Sequence, residues 1–111
     1  MKNYVQPGDI LTLTAPYDRT SGQGALVGSV FSVAVRDVLN GASGQFQTIG
    51  VFELDKTSAQ AWTEGSLIYW DNTNKVATTT ATSNKLIGAA VAAAANPSAT
   101  GLVRLNGAFI S

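Results

Sequence analysis

The 111-residue chain contains no histidine and no cysteine. Without cysteine there is no disulfide framework and no thiolate nucleophile, and nothing in the composition reports on the redox compartment. Without histidine, the commonest general base of nucleophilic hydrolases is missing. A serine activated by lysine is the arrangement left over, but the two close pairs, Lys56 with Ser58 and Ser83 with Lys85, sit in no catalytic string. Charge is scarce too: 13% of residues, seven Lys and Arg against seven Asp and Glu, where about 25% is usual. The zero balance removes the basic footprint of a general nucleic-acid binder and the attraction of an anionic membrane. No apolar run approaches the roughly 20 residues of a membrane span. The opening residues also lack the apolar core of a signal peptide, so synthesis in a cytosol is expected.

What is present is a series of short period-two apolar segments cut by glycine and turn residues. A leader of eight residues ends at Pro7-Gly8 and reads as an extended arm, with Asn3, Tyr4, Val5 and Gln6 as its candidate contact residues. Residues 9–14 follow as a β-branched strand stopped by Ala15-Pro16. Residues 17–24 read as a polar surface loop, most flexible at Ser21-Gly22-Gln23-Gly24. Two apolar segments come next, at residues 25–30 and 31–36; Phe31, Val33 and Val35 share one face of the second. Gly28 inside this pattern predicts a bulge, a bend or a close backbone approach. Asn40-Gly41 is a hairpin turn signal, because both residues tolerate positive φ.

Residues 45–55 form the clearest strand, with Phe46, Thr48, Gly50, Phe52 and Leu54 on one face and Gln47, Ile49, Val51, Glu53 and Asp55 on the other. Gly50 is expected to bend it midway. Residues 57–61 have the composition of one helical turn capped by Thr57. Residues 66–71 and 75–78 read as a hairpin around Asn72-Thr73-Asn74, and residues 78–83 as an exposed Thr/Ala connection. The alanine-rich stretch 86–95 has strong intrinsic helix propensity. Its Leu-Ile-Gly opening, its stop at Asn96-Pro97 and its short length favour a strand through about Ala92, with small side chains that admit a close neighbouring backbone. Residues 102–105 make a further strand, and Asn106-Gly107 turns into an apolar, paired end at Ala108-Phe109-Ile110. Eight or nine short strands at this spacing predict an all-β fold, a small barrel or sandwich, as one β body over residues 9–111 preceded by the arm over residues 1–8.

Few residues carry chemistry. Glu53 and Asp55 point to one side of a strand and Asp71 ends another, an arrangement that reads as a solvated strand face rather than an acid/base or metal site. No GxxxxGKS/T string is present to cradle phosphate. Tyr69-Trp70, Trp62, Phe46 and Phe52 offer stacking surfaces for a single-stranded nucleic acid, which is the alternative reading of a small β-barrel. They are interleaved with Gln, Glu, Asp and Ser rather than set in a basic groove, which favours a core or subunit interface. No catalytic, cofactor-binding or metal-binding residue is assigned, and the chain is expected not to be an enzyme. The low charge leaves sheet edges and faces without the repulsion that keeps monomers apart, so other subunits are expected to cover much of the surface.

The ordered phrases Gln6-Pro7-Gly8-Asp9, Leu26-Val27-Gly28, Val30-Phe31-Ser32-Val33-Ala34 and 50–56 (GVFELDK) continue with 65–71 (GSLIYWD), Ile87-Gly88-Ala89-Ala90 and 103–107 (VRLNG). In order and spacing the chain resembles the small capsid cement, or head decoration, proteins of tailed bacteriophages and prophages. The resemblance implies a β-rich homotrimer on the exterior of the virion capsid that ties neighbouring major capsid proteins together. It implies no cofactor, no small-molecule substrate, and neither nucleic acid nor membrane as partner.

Overall fold

The structure, a computed structural model, describes Asn3 and residues 6–106. Nine strands and no helix lie among the described residues: β1 (Ile10–Thr14), β2 (Gly24–Val27), β3 (Val30–Ala34), β4 (Ser43–Gln47), β5 (Ile49–Asp55), β6 (Leu67–Asp71), β7 (Val76–Thr78), β8 (Lys85–Ala90) and β9 (Thr100–Asn106). They form two antiparallel sheets, ordered β1-β4-β3-β2 and β5-β9-β8-β6-β7. The larger sheet curls until Lys56, one residue past β5, makes a parallel bridge with Ala77 of β7. The result is a small β-sandwich with the character of a half-barrel, as the strand pattern predicts.

The sheets meet through side chains that the period-two pattern sends inward. Phe31 and Val33 of β3 join Leu54, Trp62, Ile68, Trp70, Ile87, Val103 and Leu105 in the main core. The Phe31 and Trp70 rings cross the interface with centroids 4.9 Å apart. Ala34, on the opposite side of β3, belongs to a second, smaller cluster with Ala15, Ala25 and Phe46. β3 is therefore buried on both faces and links the two cores. A polar junction adds to the contact: Asn72 Oδ1 accepts from Tyr17 Oη (2.9 Å) and from Trp70 Nε1 (3.1 Å). The Tyr17 oxygen in turn accepts the Leu26 N–H at 3.0 Å.

The expectation of a single bent strand over residues 45–55 is corrected. The chain passes from one sheet to the other at Thr48, whose N–H donates to Asp9 O (2.7 Å) and whose hydroxyl donates to Gly8 O (2.8 Å). With the residues leading into β1 holding Thr48, and with Gly50 at φ +130°, β5 leaves in a new direction and pairs with β9 instead. The alternation survives the break: Phe46, Thr48 and Leu54 are buried, while Ile49, Val51, Glu53 and Asp55 are exposed. The helical turn expected at Thr57 is also absent. The i to i+4 bond such a turn needs is not made: the Trp62 N–H donates to Ala94 O, and Ser58 O accepts the Ser98 N–H instead.

Gly28 marks neither a bulge nor a close approach. It occupies the two-residue turn between Val27 and Val30, with φ +58° at the first central position, the pattern of a II′ hairpin. β3 ends at Ala34, so Val35 does not extend its inner face. The loop before β2 is pinned to β3, since Gly22 N–H donates to Ala34 O and Ala34 N–H to Gln23 O. Gly24 is already part of β2. β8 stops at Ala90, two residues short of the expected end, because Trp62 forms an antiparallel bridge with Ala94 and draws the chain off the sheet. The close approach expected in this strand is found at Gly88, where an added Cβ would run into the Arg104 carbonyl. The turn expected at Asn106-Gly107 and the apolar end at residues 108–110 lie outside the described residues.

Candidate interaction surface

Glu53 and Asp55 are exposed on the outer side of β5, as the alternation predicts, and form no cluster of three or more metal-ligating side chains with any other described residue. Asp71 has a local task. Its Oδ1 accepts the N–H groups of Thr73 (3.0 Å) and Asn74 (3.1 Å), and its Oδ2 accepts from Asn74 Nδ2 (2.8 Å). The Asn74 bonds, backbone then side chain, hold its carboxyl below the ordinary value of 3.8 against a small opposing effect of burial, with help from Thr73 and the Lys75 charge. The carboxylate thus ties the β6–β7 turn.

Lys56 is no base for Ser58. Its buried ammonium donates to Thr57 O at 2.9 Å and lies within reach of three more backbone carbonyls, Ser98 O at 3.4 Å and Ser58 O and Ala95 O at 3.5 Å. It also lies 5.8 Å from the centre of the Trp62 ring. The charge binds two loops to the end of β5, satisfying carbonyls that no strand reaches. In the other pair, Ser83 is exposed in a turn and Lys85 is half-buried at the start of β8. Trp62 and Trp70 are each 2% exposed and Phe46 is fully buried, so three of the five aromatic rings that offered a base-stacking surface are spent on packing, while Phe52 and Tyr69 are half-buried.

An open groove of about 480 Å³ is lined by Thr57, Gln60, Asp71, Asn74, Thr80 and Ser83, among others. Much of its polar lining is internally paired: Gln60 Nε2 donates to Thr78 and Thr80 hydroxyls, and Asp71 is held by Asn74. It serves to fasten the β7–β8 connection.

The surface that stands out is the outer face of the larger sheet. Among the described residues seven large apolar side chains are markedly exposed, and five of them, Ile49, Val51, Leu67, Leu86 and Leu102, belong to β5, β6, β8 and β9. Registry places them on one side. Val51 lies opposite Arg104, Arg104 opposite Ala89, and Ala89 opposite Leu67, which makes one row across four strands. Directly opposed residues in an antiparallel sheet share a face. Leu102 stands beside this row opposite Glu53, and Leu86 opposite Tyr69. Val51 and Leu67 are 54% and 56% exposed. Sequence reasoning put Ile49 and Val51 on the face away from Phe46 but singled out no surface there; the alternation of β5 was the available signal. Of the arm residues it did single out, Asn3 and Gln6 are exposed, while Tyr4 and Val5 lie outside the described residues.

A family model described as phage cement protein matches residues 5–105. The chain belongs to the phage cement protein family. The match spans both sheets, the two cores and the apolar outer face, so the membership concerns the whole fold rather than one motif. No curated protein and no solved structure matches this cement protein. Within that fold Asp71 is committed to a turn, Lys56 to two loops, and Phe46, Trp62 and Trp70 to the cores.

Proposed function

We propose that this cement protein binds the exterior of a phage head and stabilises it by bridging neighbouring major capsid proteins. The observation that carries the reading is the family match over residues 5–105. The mechanism is multivalent attachment by a homotrimer. Several weak contacts engaged together give an avidity well above that of one contact, by a factor on the order of 10²–10⁴. The chain is organised for this as one β body over residues 9–111 with an arm over residues 1–8, and Asn3, Tyr4, Val5 and Gln6 reach a neighbouring protein. Gln6 is exposed and leads into Pro7-Gly8. The role is structural and requires no cofactor, small-molecule substrate, nucleic acid or membrane. Synthesis takes place in the host cytoplasm and the final location is the capsid surface of the virion.

The test is addition of the purified chain to expanded heads that lack it, followed by co-sedimentation and thermal challenge. Binding with a raised temperature of head disruption is expected, and absence of co-sedimentation refutes the proposal. A truncation starting at Pro7 is expected to bind more weakly; equal binding removes the arm from the mechanism.

A further inference from the structure

The outer face of the larger sheet combines exposed apolar area with charges of both signs. Arg104 is exposed on β9 in the middle of the row Val51, Arg104, Ala89, Leu67. Glu53 and Asp55 are exposed on β5 at one margin. Glu53 is diagonal to Arg104, about 7–8 Å away along the ladder. The far margin, formed by Leu67 and Tyr69 of β6 with Leu86 of β8, carries none of these charges. A surface that is apolar at its centre, with an arginine there and a polar rim, has the anatomy of a protein interface.

We propose that this face of β5, β9, β8 and β6 is where a second copy of the chain docks, with Arg104 of one copy set against Glu53 of the next. The inference rests on reading the chain as an oligomeric cement protein and names the surface that reading leaves open. The occupant follows from charge complementarity, because the face itself supplies both members of the ion pair that the contact needs. The chain as a whole balances seven cationic against seven anionic side chains, so copies do not repel one another at long range. Turned toward a three-fold axis, the acidic β5 margin of one copy meets the arginine-centred row of its neighbour, and the contact closes on itself. Four strands at about 4.8 Å spacing and five residues at about 3.4 Å rise give a face of roughly 19 by 17 Å. That is about 320 Å² of sheet, the apolar centre of a contact whose flanking polar residues would supply the rest of the roughly 800 Å² per partner of a standard interface.

The experiment measures mass in solution by light scattering for the full chain and four variants, with circular dichroism as the check on folding. The substitutions fall on exposed positions, so the core is left intact. Wild type is expected to be oligomeric and Val51→Glu with Leu67→Glu monomeric. Arg104→Glu and Glu53→Arg are each expected to weaken self-association about tenfold or more, and the double reversal to recover most of the loss. A monomeric wild type, an unchanged mass for Val51→Glu with Leu67→Glu, or a double reversal no better than either single change overturns the inference. If the apolar pair misfolds, the charge reversals decide alone. Head co-sedimentation separates the two readings. Variants that keep wild-type mass but lose the heads place the face against the shell and refute this inference, while failure of oligomeric wild type to bind heads refutes the cement function instead.

Discussion

Replacing Gly88 by alanine tests whether the β8–β9 contact sets the stability of this fold. Gly88 lies outside the left-handed region, so backbone strain is not at issue; space is. The added Cβ would overlap the Arg104 carbonyl oxygen and would lie 3.1 Å from the Arg104 carbonyl carbon and 3.2 Å from Val103 Cγ1. The obstacle is backbone, and β9 is held on its other side by seven registered positions with β5, from Ile49 opposite Asn106 to Asp55 opposite Thr100. Relief therefore requires β8 to part from β9 across Gly88–Leu105, Ala89–Arg104 and Ala90–Val103. Losing two or three ladder hydrogen bonds at about 1 kcal/mol each gives a loss of about 2–3 kcal/mol. This agrees with the range of about 1–3 kcal/mol for overpacked cores. For a chain of this size it corresponds to a fall in Tm of roughly 8–15 °C. Urea unfolding followed by Trp62 and Trp70 emission, at fixed protein concentration, measures it. Gly22→Ala is the comparison: its φ is +88° and nothing lies within 4 Å of the added Cβ, so only conformational strain of about 1 kcal/mol is incurred. A Gly88→Ala variant as stable as wild type, or less affected than Gly22→Ala, refutes the reasoning.

Tyr17→Phe removes the hydroxyl that bonds Asn72 Oδ1 and the Leu26 N–H, and is expected to cost about 1–2 kcal/mol in urea unfolding, with faster amide exchange at Leu26. Asp71 has a lowered carboxyl pKa in the folded chain, so its contribution is fully present above the unfolded value near 3.8 and is lost as pH falls through the lower folded value. Asp71→Asn is expected to flatten the decline of the urea midpoint between pH 5 and pH 3, on the order of the pH interval that a lowered carboxylate affects.

Local signals carried much of the architecture. Alternation at residues 45–55 assigned inner and outer side chains correctly on both sides of the Thr48 break, because side chains point to opposite faces whichever sheet the strand joins. The hairpin around residues 72–74 was legible from turn composition, and the strand ending at Ala90 was distinguished from a helix by its flanking residues. The break itself was not legible, since it depends on Thr48 meeting Gly8 and Asp9, about forty residues away. The false helical turn at Thr57 has the same origin: the Trp62 N–H and the Ser58 carbonyl that would close it are taken by Ala94 and Ser98, partners that local propensity does not contain. Ordered phrases along the chain were enough to indicate the cement family, whose model matches residues 5–105.

The candidate surface divides in the same way. The arm residues Asn3 and Gln6 were singled out because Pro7-Gly8 punctuates the sequence beside them. The apolar outer face was not, because Val51, Leu67, Leu86 and Leu102 come from four separated segments and acquire a common direction only through the registers of β5, β9, β8 and β6. By itself the sequence determined that this is a sparsely charged, net-neutral, histidine-free and cysteine-free all-β chain with a known periodicity of inner and outer positions. Tertiary structure alone decided which strands pair and which outer face remains uncovered. Alternation is a property of one strand's backbone, whereas pairing and exposure arise from contacts between residues far apart in the chain.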